Sequence, residues 1–248
     1  LKARAKACTR ARNVPAETIA EMKEAGFFRI LQPARWEGYE LEPKDFFEVQ
    51  MTLAEGCMSS AWVLGVVAIH NWQLALFDDR AAQDVWAQDS SVLISSSYMP
   101  VGKVTRVEGG FRLSGHWGFS TGSVHCGWVL LGAVVPPEKE GDPFDMRTFL
   151  LPRSDYTIGK DAWHTFGLQG TGSHDIIVDD VFVPADNLLG GEEGLAQRRR
   201  HALGQPHPQL AARQRGAFAR RDRRRLVRPE ERIDQDVDDV EAGQHEAG

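Results

Sequence analysis

The stretch Trp117-Gly118-Phe119-Ser120-Thr121-Gly122-Ser123 gathers hydroxyls and glycines beside large aromatics at the end of a predicted strand. Glycine lets a backbone N–H approach a flat ligand, and a hydroxyl can bond a ring heteroatom. The same residues also suit a β-turn with capping serines, and the residue types alone leave both readings open. Gly167-Leu168-Gln169-Gly170-Thr171-Gly172-Ser173 superficially looks like a phosphate loop. A dinucleotide fingerprint follows a strand and opens a helix. Here a predicted strand, Asp175 to Val183, comes next. Rossmann and Walker roles are therefore rejected, and a glycine-rich turn between strands remains. His70 ends an apolar helical run before Asn71-Trp72. It reads either as a satisfied core or cap residue, or as a general base facing a pocket between helical and strand layers. Ser95-Ser96-Ser97-Tyr98 is a polar break after a β run and can line the same pocket. His125-Cys126 lacks a Cys-x-x-Cys or His-x-x-x-His companion. Adjacent residues make poor metal geometry, so His125 is expected on a strand rim and no metal site is assigned. Without a Gly-x-Ser-x-Gly elbow, a hydrolase triad has no anchor.

Helices must position the first of these residues and strands the rest. Pro15 to Ile30 predicts a helix with Pro15 in its first turn and Gly26 near its end. Pro43 to Ala54 predicts a second. Ala61 to Phe77, capped by Ser59 and Ser60, is apolar nearly all round and so is expected to be buried. Arg80 to Gln88 predicts a short fourth helix. Strands are predicted at Ser91–Ser96, Gly102–Glu108, Phe111–Gly115, Cys126–Val135, Arg147–Pro152, Thr157–Gly159 and Ile176–Pro184. Runs of helices followed by runs of strands give an α+β fold. The expected division is an N-terminal helical domain over residues 1–90 and a β-barrel-like or β-sandwich domain over 91–189.

The 248 residues, 42% apolar and 26% charged, suit one large or two small globular domains. A disordered chain, collagen and a dense disulfide scaffold are excluded. A formal net charge of −6 gives no support to nucleic-acid binding. The apolar stretch Ala61–Ile69 is too short to span a bilayer, and no secretory signal is visible, so no membrane role is assigned. Cys8, Cys57 and Cys126 are far apart and odd in number, which suggests free thiols in a reducing, cytoplasmic compartment. The chain opens on Leu1, so its natural start is expected upstream. Its composition then breaks. All seven tryptophans lie in the first two thirds, and no lysine follows Lys160. Twelve arginines crowd Arg198 to Arg232, and six acids without a base follow from Ile233. Residues 190–248 are expected to form a low-complexity tail without packed structure. It reads either as a natural basic-then-acidic arm or as out-of-frame translation of a GC-rich gene.

Three stretches together resemble the acyl-CoA dehydrogenase-like flavoproteins. They are Glu24 to Ile30 with Pro33, Gly115 to Trp128, and Phe166 to Ser173 leading into Val178 to Pro184. More closely, the triple serine before Pro100, the Trp-Gly-Phe-Ser-Thr-Gly-Ser-Val-His block and the Gly-Thr-Gly-Ser loop resemble the flavin-dependent aromatic monooxygenases, a branch that includes hydroxylases of steroid-derived phenols. The resemblance covers roughly Ala11 to Leu189. It implies a helical domain, a central β domain and a C-terminal four-helix bundle, the last having no counterpart after Leu189. It also implies that a separate reductase supplies reduced flavin, FMN or FAD, and that oxygen is transferred to the carbon ortho to a phenol hydroxyl. On the matching positions, Ser120 or Thr121 lies near flavin N5. His70 and Ser96 face a small aromatic substrate, with His70 favouring the phenolate. Trp117, Phe119, Thr171, Gly172 and Ser173 wall the flavin. The family is homotetrameric through its bundle, so a chain without one is expected to bind flavin weakly and turn over little. An acyl-CoA dehydrogenase, which needs a glutamate base and a CoA site, and a non-catalytic fragment are the alternatives. The Ser-Thr-Gly-Ser-Val-His block and the triple serine favour the monooxygenase.

Overall fold

The computed structural model describes residues 1–137, 139, 141, 145–159 and 163–190. The tail reading, including the Arg198–Arg232 run, lies outside the described residues. Five helices lead the chain: α1 Ala5–Ala11, α2 Ala16–Glu24, α3 Pro43–Gly56, α4 Met58–Leu74 and α5 Asp79–Trp86. Sequence pattern misses α1 because Cys8 is its one buried residue, leaving no apolar period to read. The helix expected to reach Ile30 stops at Glu24. Gly26 takes a left-handed φ of +81°, and Tyr39 packs where a Cβ would stand, so the chain leaves α2 in a 3₁₀ turn at Phe27–Arg29. Ser59 and Ser60 do not cap α4. Extended Cys57 precedes its first residue, and both serines are buried inside the first turn. Nor is α4 buried all round: Val63, Leu64, Val67 and Ala68 face the core, whereas Trp62, Ile69 and Trp72 are exposed.

The strands are β1 Ile94–Val107, β2 Gly110–Ser120, β3 Trp128–Val135, β4 Asp145–Pro152, β5 Thr157–Ile158, β6 His174–Pro184 and β7 Leu188–Gly190. They form one mixed sheet in the order β5-β6-β2-β1-β3-β4-β7. The two strands predicted at Ser91–Ser96 and Gly102–Glu108 are one strand, β1. Its first part pairs parallel with β3 and its last part antiparallel with β2, with a register shift between Ser97 and Gly102. Pro100 falls in that shift, where a missing N–H donor is tolerated. The long strand thus joins two leaves of the sheet over a shared core of Val104, Leu113, Trp117, Leu131, Phe149 and Ile176. The opposite side of β3 offers Leu130 to Ala81, Val85 and Trp86 of α5. Both faces of β3 are covered, which is why it reads as an unbroken apolar run. The expected α+β order, helices and then strands, is the architecture found, the strands forming one mixed seven-stranded sheet. Helix α4 joins the layers, packing on both α3 and β1. No helix among the described residues is long and apolar enough to cross a membrane.

Candidate active site

Residues three apart share a helix face and residues two apart share a strand face. His70 and Gln73 of α4 therefore meet Ser96 and Tyr98 of β1. His70 is 2% exposed, and its Nδ1 lies 2.8 Å from the Ile94 carbonyl oxygen. A carbonyl only accepts, so Nδ1 carries the proton and Nε2 holds a bare lone pair. Among the described residues no side chain or backbone group bonds Nε2. Burial pushes the His70 pKa down to about 4, against the raising effect of the Ile94 bond, so the ring is neutral at pH 7. The Tyr98 ring stands edge-on to His70, with centroids 6.1 Å apart. Tyr98 is 38% exposed, and its hydroxyl donates to Gln73 Oε1. Burial pushes the Tyr98 pKa up to about 12, opposed by the adjoining Ser96 and Gln73 side chains. The group offers a ligand an imidazole acceptor flanked by neutral hydroxyls.

A second polar group lies where β2 ends. Its pairing with β6 shifts register between Trp117 and Ser120, and Phe119 adopts a φ of +64°. A bulky residue in that conformation costs on the order of 1–3 kcal/mol. The twist separates neighbours. Trp117 is wholly buried, with its indole N–H on Gly132 O at 2.8 Å, whereas Phe119 is 68% exposed. Trp117 is therefore packed in the β core. The Phe119 ring meets Trp163 edge to face at 6.1 Å. Beyond it, Thr121 Oγ1 lies 2.9 Å from Ser173 Oγ. Ser173 Oγ lies 3.0 Å from Thr171 Oγ1, which bonds Leu168 O at 3.0 Å. Gly122 N–H donates to Thr171 O at 3.1 Å. Gly172 has a φ of +55°, and Asn13 crowds the site a Cβ would occupy, so this loop needs glycine there. Ser120 and Ser123 hydroxyls are buried without a partner among the described residues.

One helix ties the two groups together. Val63 and Val67 of α4 lie 3.0 and 3.4 Å from where a Gly122 Cβ would stand, and His70 follows Val67 by about 4.5 Å of helical rise. From the β layer, Ser97 Oγ donates to Gly118 O at 2.7 Å. His70 and Ser96 thus fall on one flank. Phe119, Ser120, Thr121, Thr171, Gly172 and Ser173 fall on the other. Buried orphan hydroxyls beside an outward aromatic face fit a planar heteroaromatic group. His125 sits in a 3₁₀ turn, Ser123–His125, rather than on a strand rim. Gln73 was missed: its only signal is its place three residues after His70. Tyr98 was seen in the serine tetrad, but its bond to Gln73 joins elements 25 residues apart.

The oxygenase subunit HsaA, a flavin-dependent monooxygenase of Mycobacterium tuberculosis (strain ATCC 25618 / H37Rv), is 45% identical over 189 residues, 76% of this chain and 47% of that protein. The oxygenase component of the FADH(2)-dependent resorcinol hydroxylase of Rhizobium sp. (strain MTP-10005) is 40% identical over 180 residues, 72% of this chain and 43% of that one. XiaF from Streptomyces sp., solved in complex with FADH2 and glycerol, superposes with a TM-score of 0.74 at 28% identity, over 86% of this chain and 53% of its own. No family model matches the chain. The chain spans about half the length of the curated relatives it matches. Over that shared half, in sequence and in the order of its helices and strands, it belongs to the oxygenase subunits of flavin-dependent monooxygenases, with their acyl-CoA dehydrogenase-like fold.

Proposed function

We propose that this chain forms the flavin- and phenol-facing part of the oxygenase component of a two-component monooxygenase, hydroxylating a phenol, steroid-derived by the resemblance above. The observation that carries the reading is the Nδ1 bond to Ile94 O, which leaves Nε2 of His70 as an acceptor on the same helix whose Val67, one turn earlier, packs beside Gly122 of the hydroxyl loop. The helical unit over 1–90 and the β unit over 91–189 each supply one wall. A reductase component, a homotetrameric assembly and a cytoplasmic setting belong to the same proposal.

Reduced flavin, FMN or FAD, supplies oxygen activation when bound. Phe119 and Trp163 offer it an aromatic surface. Ser120, Thr121, Thr171, Gly172 and Ser173 offer its heteroatom edge hydroxyls and close backbone. His70 then orients the substrate: a phenol hydroxyl donates to Nε2. An imidazolium with a pKa near 4 is too acidic to keep a proton from a phenol, whose pKa is about 10. His70 therefore polarises the phenol rather than ionising it, which still enriches the ring carbon ortho to the hydroxyl. Ser96 and Tyr98 hold the other side of that hydroxyl. The Ser-Thr-Gly-Ser-Val-His block and the triple serine favour this reading over an acyl-CoA dehydrogenase.

An anaerobic titration of the chain with reduced FMN and reduced FAD, followed by a simple phenol, tests the reading. Saturable flavin binding, then a phenol step that His70→Asn removes while keeping the flavin step, supports it. Asparagine retains an N–H for Ile94 O and loses the Nε2 acceptor. Binding of neither flavin at millimolar concentration, or a phenol step unchanged in His70→Asn, rejects it.

A further inference from the structure

Three hydroxyls stand in a row, Thr121, Ser173 and Thr171, and each adjacent pair is hydrogen-bonded at 2.9 and 3.0 Å. A hydroxyl pair alone does not say which oxygen donates. The carbonyl at the end of the row decides it. Leu168 O lies 3.0 Å from Thr171 Oγ1 and has no proton to give, and two bare oxygens at that distance would repel. The Thr171 proton is therefore on Leu168 O. Thr171 must then accept from Ser173, and Ser173, its one proton engaged, must accept from Thr121. The row runs one way, from Thr121 to Ser173 to Thr171 to the backbone.

We propose that Ser173 and Thr171 are positioning residues that hold the hydroxyl proton of Thr121 inward, so that Thr121 offers an approaching ligand an acceptor and no donor. All three side chains are buried, which lets the order persist because water does not compete for the bonds. The polarity follows from the hydrogen bonds alone. Its consequence rests on the flavin reading of this loop. Oxidised flavin presents a lone pair at N5, whereas reduced flavin presents an N–H. An acceptor at Thr121 pairs with the reduced ring and opposes the oxidised one. Redox-state selection would then come from a row of hydroxyls reaching a carbonyl in the next loop.

Hydroxyl-proton exchange with water, followed by NMR on the full chain without ligand, tests the polarity. In the wild type the Thr121 hydroxyl proton exchanges slowly. Ser173→Ala makes it fast, Ser173→Thr restores slow exchange, and the Thr171 hydroxyl stays slow throughout. A fast Thr121 proton in the wild type overturns the proposal whether or not the alanine variant folds. A second arm compares affinities for oxidised and reduced flavin. Ser173→Ala should shrink the wild-type preference for the reduced form roughly tenfold, and Ser173→Thr should keep it. An equal preference in wild type and Ser173→Ala overturns the proposal. If neither flavin form binds while the exchange pattern holds, the flavin reading fails and the polarity stands.

Discussion

Within the Thr121–Ser173 group every linked hydroxyl has its proton on another protein oxygen, whereas the His70 group leaves an imidazole nitrogen without a protein partner. The first group is the richer in polar residues, yet its bonds are turned inward and stitch two loops together. The second has fewer polar residues and keeps one acceptor unused. A dense hydroxyl motif therefore measures loop order as much as ligand capacity. What a site can still bind is set by the bonds its residues have not made. The same contrast recurs within two residues of one strand, where Trp117 is core and Phe119 is surface.

That last contrast yields the largest expected effect. Trp117→Ala should lose about 3–5 kcal/mol of stability through cavity formation, read as a lower denaturant midpoint. Phe119→Ala should stay within about 1 kcal/mol and instead weaken flavin binding, because its exposed ring leaves no cavity. Equal stability losses would erase the distinction.

His70 supplies the next. Its folded pKa of about 4 lies below its ordinary value of 6.5, so the folded state binds fewer protons than the unfolded chain between those values. Stability from the buried neutral ring is then fully present above pH 6.5 and is lost as pH falls towards 4, by up to about 3 kcal/mol. Unfolding midpoints in urea at pH 7 and pH 5 should differ in the wild type and differ less in His70→Asn. Identical slopes in both would show that His70 is not the titrating group.

Thr121→Val removes the hydroxyl end of the row and should weaken reduced-flavin binding about tenfold, measured by anaerobic titration, with phenol affinity unaffected in the flavin-free protein. Tyr98→Phe should have the smallest effect. Losing the bond to Gln73 should cost about 1 kcal/mol in phenol affinity, seen in the phenol step of the same titration. A larger loss than for His70→Asn would move the polar centre of that group from the imidazole to the phenol ring of Tyr98.

Much of the β layer was legible because alternation and unbroken apolar runs record how many faces a strand buries. The run from Cys126 to Val135 reads as a strand, and β3, Trp128–Val135, is that strand, with α5 on one face. Positions of strain were less legible. Nothing in the letters of Trp117-Gly118-Phe119 says that Phe119 takes a left-handed φ and swings outward, since that turn depends on β6 slipping register beside it. The helix over α2 was drawn too long for a similar reason. Gly26 ends it by admitting Tyr39, a contact 13 residues away.

By its own periodicity and residue types, the sequence determined the order of helices before strands and the two loops that hold the hydroxyls. Such features depend on near neighbours along the chain, so local pattern suffices to read them. Tertiary structure alone decided that His70 donates from Nδ1, that Thr121 points its proton inward, and that the Trp117 indole is anchored in the β core. Each of those follows from which carbonyl lies within hydrogen-bond reach. Ile94 O, Leu168 O and Gly132 O come from other segments, placed there only once the layers have packed.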